Sequence, residues 1–335
     1  MRKILLGSAF LLVVCFAAYL RIRHSGVPLE IAYAGNRQVT LMSTTAQVRS
    51  PITTVNFGDR LEVLERFQDQ VKVRSATGLT GWIYERDLLS ADLWQKAHDL
   101  ATRTAAMHSM ARGHTRVLTN LRIAPGREAP RVRQLAKAVP VELYERRPVE
   151  VSTSAPAAKS SDQDEGAAEP PAAKKEDWWL VRAHSADEQE MSGWILGRFV
   201  SLDVPPPLPD YASSAGMRIV GWFELNRVRD ASGTARQQYL VLGAHGPEGQ
   251  PCDFSMLRVY TWGLQRQRYE TAFVESNVCG RLPINLTHSA PPTSDTQFAF
   301  QDISRGAPEE RIYRMHQTIV RRVRQGGPSA PRKHR

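Results

Sequence analysis

The chain has 335 residues, with 42% hydrophobic and 23% charged residues, enough to bury cores in two or three domains. Its formal net charge is +10. That charge lies at the ends: residues 1–24 carry +4 and residues 305–335 carry +7, which leaves the body at −1 and argues against a nucleic-acid-binding core.

Arg2 and Lys3 precede an apolar run from Ile4 to Leu20, about the shortest helix able to span a bilayer. The same run has the charged start and apolar centre of a secretory signal. Three fates stand open for it: a retained anchor or signal (favoured), cleavage near Phe16-Ala17-Ala18, or lipidation at Cys15. Arg21 and Arg23 balance Arg2 and Lys3, so flanking charge sets no orientation. Either favoured reading, retained or cleaved, exports the rest of the chain to a periplasmic or extracytoplasmic face, and a retained segment makes residues 4–20 its membrane contact.

Residues 38–90 read as short strands at Val39–Met42, Ala46–Arg49, Arg60–Glu65, Gln70–Arg74 and Gly81–Tyr84. Alternation in Leu61, Val63 and in Lys72, Arg74 marks half-buried strands, and Gly58-Asp59 and Thr77-Gly78 mark turns. The order Val48-Arg49, Gly58-Asp59-Arg60-Leu61-Glu62-Val63, Val71-Lys72-Val73-Arg74, Gly81-Trp82-Ile83 resembles the bacterial SH3 family over about fifty residues. The resemblance implies a small β-barrel. Trp82 is read as its core cover, with a groove wall as the functional alternative.

Ser90 is a helix N-cap, and Leu93, Ala97, Leu100, Thr104 and Met107 recur at helical spacing. The spacing predicts a connecting helix over 91–112, ended by Arg112-Gly113. His98 and His108 on it are read as surface residues, not metal ligands.

A second copy follows over 115–202. Leu121-Arg122 echoes Val48-Arg49, and Val141-Glu142-Leu143-Tyr144-Glu145-Arg146 echoes Leu61 to Arg66. Residues 147–176 form an insertion rich in Ala, Pro, Ser and charged residues, a composition expected to stay disordered. Trp178-Trp179-Leu180-Val181-Arg182 and Gly193-Trp194-Ile195 then complete the pattern. A double tryptophan followed by Gly-aromatic-Ile is similar to SH3 domains in general. By that resemblance the insertion borders a peptide groove and Trp178 matches the groove tryptophan. Leu196 and Phe199 depart from the usual proline and tyrosine, so proline-rich ligands are not implied. Neighbouring strand residues face opposite ways, which predicts that one of Trp178 and Trp179 is exposed or ligand-facing. The candidate ligand site is therefore Trp178, Trp194 and Phe199. Gln70 stands where the second copy has Trp178, so the first copy is read as structural.

Pro205-Pro206-Pro207-Leu208-Pro209 predicts a stiff spacer within a linker over 203–214. Residues 215–323 predict a separate β-rich domain, with strands at Arg218–Leu225, Gln238–Ala244, Met256–Trp262, Glu270–Glu275 and Gln297–Gln301. Ile312–Val323 fits both periods and is read as a strand. The basic tail 324–335 is expected to be disordered.

The expected fold class is therefore mainly β: two SH3-like barrels joined by a helix, plus a C-terminal β-rich domain. Cys252 and Cys279, in one exported domain, predict a disulfide. No zinc motif occurs and no cofactor is expected. The reading is a membrane-tethered, non-enzymatic binding protein whose partner is cell wall or an envelope protein or peptide. Two rivals stand beside it. One is an envelope hydrolase with its catalytic site in 215–323, for which Cys252 and His288 would be the peptidase pair and His245 a turn residue. The other is a scaffold for envelope protein complexes.

Overall fold

The computed structural model describes residues 27–151, 174–185, 188–289 and 295–323. The apolar run 4–20, most of the insertion and the basic tail lie outside the described residues. The protein is mainly β, with three seven-stranded antiparallel sheets. The chain divides into two compact units, one of residues 1–99 with 132–134 and one of 100–131 with 135–335.

The first sheet comprises β1 (Glu30–Ala34), β2 (Gln38–Met42), β3 (Pro51–Asn56), β4 (Arg60–Phe67), β5 (Gln70–Arg74), β6 (Thr80–Tyr84) and β7 (Leu88–Ser90), ordered β3-β2-β6-β5-β4-β1-β7. Alternation drives it. Leu61, Val63, Val71, Val73 and Ile83 turn inward with Ala34 and Leu41, while Glu62 and Lys72 turn out. Ala46–Arg49 is not a strand. Ser43 and Thr44 hydroxyls accept from the Ser50 and Ala46 amides, so the segment closes as a loop, and the strand starts at Pro51 on the sheet edge, where a missing N–H costs no ladder bond.

The second sheet comprises β8 (Ala111–Thr115), β9 (Thr119–Arg122), β10 (Arg131–Leu135), β11 (Pro140–Glu150), β12 (Lys175–Ser185), β13 (Glu188–Leu196) and β14 (Val200–Leu202). Its order, β10-β9-β13-β12-β11-β8-β14, is the first sheet's order with every strand number raised by seven. The irregularities repeat as well. A register shift falls between Val63 and Glu65 in β4 and between Leu143 and Glu145 in β11, so Leu64 and Tyr144 are the corresponding extra residues. A single 3₁₀ turn precedes the last strand of each sheet, at Glu85–Asp87 and at Gly197–Phe199. Gly81 and Gly193 serve one purpose in both: a Cβ there would stand 2.8 Å from Leu41 Cβ or 2.5 Å from Leu121 Cγ, so only glycine lets the neighbouring strand close in. The insertion grows out of the β11–β12 hairpin, whose two strands continue pairing as far as Glu150 and Lys175.

Helix α1 (Ala91–Ala105) is capped by the Ser90 hydroxyl, which accepts from the Leu93 amide at 3.2 Å. In the first unit Trp94 stacks on Tyr33 with centroids 4.7 Å apart, and His98 tilts against Trp94, half-buried instead of free on the surface. The helix ends seven residues before the expected stop at Arg112. Gly113 is not a helix-ending glycine: it lies inside β8, where a Cβ would run into the Ser201 carbonyl.

The third sheet is a plain meander: β15 (Arg218–Arg229), β16 (Ala235–Ala244), β17 (Phe254–Gly263), β18 (Arg268–His288), β19 (Thr296–Asp302), β20 (Glu309–His316) and β21 (Ile319–Val323). Ile312–Val323 spans two strands, broken where Gln317 takes a positive φ. The sheet curls until its ends meet: the Asn226 and Gln238 amides both donate to the Gln317 carbonyl, at 3.0 and 2.9 Å. Leu240, Leu242, Phe254, Val259, Phe298 and Phe300 fill the enclosed face around Tyr313. The opposite face is covered by α2 (Leu208–Ser214), whose Leu208 and Ala212 pack on Val241 and Tyr260. The proline-rich segment is thus not an extended spacer. Pro209 occupies the first turn of α2, where proline suits a helix, and the segment folds back as a cover.

Candidate functional site

The two copies use the same four outward positions in opposite ways. On the second sheet these are Trp178 and Leu180 of β12 and Trp194 and Leu196 of β13. They join Tyr144 in a second hydrophobic cluster, against which Leu100, Met107, Val149 and Phe199 pack. Trp178 is 3% exposed and Trp194 2%, and Phe199 is half-buried. The expected ligand site at these residues is therefore corrected: two of the three present almost no surface. Trp179 is also buried, on the inner face. Strand alternation does send the two neighbours to opposite faces, but both faces of this sheet are covered. Arg147 lies over the Trp194 ring at 5.2 Å.

In the first sheet the corresponding positions are Gln70, Lys72, Trp82 and Tyr84, and all four are half-exposed. Trp82 is not core. Its strand neighbours Gly81 and Ile83 are, and Trp82 faces out beneath Lys72, whose ammonium lies 5.9 Å from the ring centroid. Arg49 comes from the 43–50 loop. Its guanidinium donates to the Tyr84 hydroxyl at 3.1 Å and to the Gln70 amide oxygen at 3.5 Å. The Gln70 amide in turn donates to the Thr45 carbonyl. Arg86 covers the Tyr84 ring at 4.2 Å. The result is a preorganised aromatic and cationic surface, with the 92% exposed Val48 on the loop beside it. Sequence alignment of the copies carried the needed signal: Lys72 against Leu180, and Tyr84 against Leu196, distinguish a solvated face from a covered one.

A polar cluster flanks the second sheet. Glu142 accepts from the Tyr144 hydroxyl at 2.7 Å and from Arg182 at 2.8 Å, and His184 lies 3.4 Å away. Burial works against the Glu142 carboxylate, but the Tyr144, Arg182 and His184 hydrogen bonds outweigh it and hold its pKa down at about 2.

The second and third sheets are joined by a buried ion triad. The Arg146 guanidinium reaches Asp177 at 2.6 Å and Asp253 at 2.9 Å, and all three side chains are at most 5% exposed. It also donates to the Cys252 and Gln250 carbonyls, while Gly249 and Leu282 amides donate to the two carboxylates. Cys252 and Cys279 form a disulfide beside this triad. The Cys252 sulfur is thus committed and does not pair with His288, whose Nδ1 lies 3.3 Å from the Thr296 hydroxyl. His245, in an exposed turn, contacts the Gly216 carbonyl. Next to the triad a cleft of 310 Å³ opens between β14 and β15, lined by Arg116, Trp179, Arg198, Arg218 and Glu248 among others.

Among the described residues no group of three or more His, Cys, Asp or Glu stands where it could hold a metal, and no helix is long and apolar enough to cross a membrane. No family model and no curated protein matches the chain. Among solved structures, an NlpC/P60 family protein from Bacillus cereus is similar over 74% of this chain and 99% of its own, at 11% identity and a TM-score of 0.22. NlpC2 from Trichomonas vaginalis is similar over 74% of this chain and 97% of its own, at 8% identity and a TM-score of 0.17. Likeness at this level carries neither a fold nor an activity to this chain.

Proposed function

We propose that the protein is an exported, membrane-tethered binding protein of the cell envelope, acting without catalysis through twin bacterial-SH3-like domains, with peptidoglycan as its ligand. The observation that carries the reading is the first sheet's outward face. Trp82, Tyr84, Gln70, Lys72 and Arg49 stay accessible there, while the second copy has apolar residues at its equivalent strand positions and a covered face. An exposed tryptophan beside cations and an amide suits a polymer of sugars and acidic peptides: rings stack on sugar faces and the cations meet carboxylates. The sequence resemblance to the bacterial SH3 family supports the domain type. The apolar run 4–20 and the Cys252–Cys279 bridge support an oxidising compartment outside the cytoplasm.

The test is co-sedimentation of the full chain with purified cell-wall sacculi. The protein should pellet, and Trp82→Ala with Tyr84→Ala should leave it in the supernatant with an unchanged melting temperature. Equal pelleting of that variant would move the ligand site elsewhere. No pelleting of the unaltered chain would remove peptidoglycan as the ligand.

A further inference from the structure

We propose that the cleft between β14 and β15 is a second binding site, for an extended peptide segment that carries a carboxylate. Two kinds of observation meet there. The first is backbone. β14 is an edge of the second sheet and β15 an edge of the third, each with a single strand partner. On either side of β14 the Phe199 carbonyl accepts from the Arg116 amide and the Asp203 amide donates to the Arg112 carbonyl. By the alternation of an antiparallel ladder, Val200 and Leu202 turn their carbonyls away from β8. An open edge of this kind is a template for an added strand.

The second observation is charge. The cleft lining holds three arginines, Arg116, Arg198 and Arg218, against Asp177 and Glu248. Asp177 is committed to Arg146, and Arg198 to Glu176 at 2.9 Å. That leaves Arg116 and Arg218, both exposed and without an acidic partner among the described residues, against Glu248 alone. Leu143, Trp179, Val200, Ile219 and Val220 are among the apolar residues of the walls. A strand alternating acidic and aliphatic side chains matches both features: carboxylates toward the two guanidiniums, aliphatic groups toward the walls, main chain along the edge. The site shares no residue with the Trp82 face and does not rest on the peptidoglycan reading.

The test uses the peptide acetyl-Val-Glu-Val-Glu-Val-amide, titrated into the full chain and followed by calorimetry and by the fluorescence change of Trp179 at the cleft. The peptide should bind. Arg116→Gln and Arg218→Gln should each weaken it about tenfold, the loss expected for one charge-assisted hydrogen bond. Glu248→Gln should tighten it, and Trp82→Ala should not alter it. Lysine in place of the glutamates, or N-methyl groups on the peptide backbone, should abolish binding. Absence of binding at millimolar peptide, equal binding by the arginine variants, or equal binding of the N-methylated peptide would each overturn the proposal.

Discussion

Arg146 and Asp253 lie 107 positions apart in the chain, yet their side chains meet at 2.9 Å in a place that water hardly reaches. The pair, completed by Asp177, joins the second sheet to the third. Such a junction is asymmetric in energy. With every partner in place the attraction roughly offsets desolvation, but removal of one member strands the rest. Arg146→Met leaves two buried carboxylates and should destabilise the second unit by about 3–5 kcal/mol. At this size that lowers the melting temperature by roughly 10 °C. Adding Asp177→Asn and Asp253→Asn should recover most of the loss, since an amide oxygen can still accept from the Gly249 and Leu282 amides. Thermal unfolding followed by circular dichroism measures both steps. An unchanged melting temperature for Arg146→Met would show that the junction contributes nothing.

Trp178 is buried and Trp82 is half-exposed. Trp178→Ala empties a site packed by Tyr144, Leu180 and Leu196 and should cost about 3–5 kcal/mol. Trp82→Ala removes a half-exposed ring and should change stability by less than about 1 kcal/mol. Denaturant unfolding of the two variants side by side checks the ranking. The reverse order would return Trp178 to the surface and Trp82 to the core.

This ranking also marks the limit of what the sequence could disclose. Alternation in Leu61, Val63, Val71 and Val73, and the repeated Gly-Trp-Ile, were enough to read twin sheets, because a two-residue period has one physical cause. Most third-sheet strands were legible for the same reason. What covers a sheet is not written in its own strands. Trp178 and Trp194 looked like ligand residues because nothing local shows that Leu100 and Met107 pack on them. The proline-rich run looked extended because the burial of Leu208 and Ala212 depends on Val241 and Tyr260, 29 to 52 positions away in the chain. The ion triad was invisible for the same reason: its members are 31 and 107 positions apart.

Acid should release part of the second sheet's stability. The Glu142 pKa is depressed to about 2 in the folded protein, from about 4.3 when unfolded. The unfolded state therefore binds this proton first. The group's contribution is complete above the unfolded value and is lost as pH falls from there through about 2. Glu142→Gln should be less stable than the unaltered chain near neutrality, and the gap should narrow through that acid window. Melting temperatures of both proteins across the window give the answer. A gap that stays constant would mean that Glu142 has the same affinity for its proton in both states.

Export is tested independently of any ligand. With residues 4–20 as anchor or signal, a reporter enzyme that works only in the cytoplasm should be silent when fused after Arg335. Strong reporter activity would place the chain inside the cell and end the envelope reading.

The Cys252–Cys279 bridge and the ion triad act on the same loop. The bridge closes a separation of 27 residues, and the carbonyls of Gln250 and Cys252 just before and at it accept from Arg146. In the chain-entropy model a loop of that length stabilises by about 3.5 kcal/mol. Of the three cysteines only Cys15 lies outside the bridge, so alkylation of the native, unreduced full chain should add one label, and reduction should raise that to three. Replacing Cys252 and Cys279 with serine should lower stability by about the entropic amount. Combined with Arg146→Met, the losses should add to less than their sum, because a loop freed by one change has less order left to lose by the other. A double-mutant cycle on thermal stability measures that coupling. Strict additivity would mean that the bridge and the triad hold the loop independently.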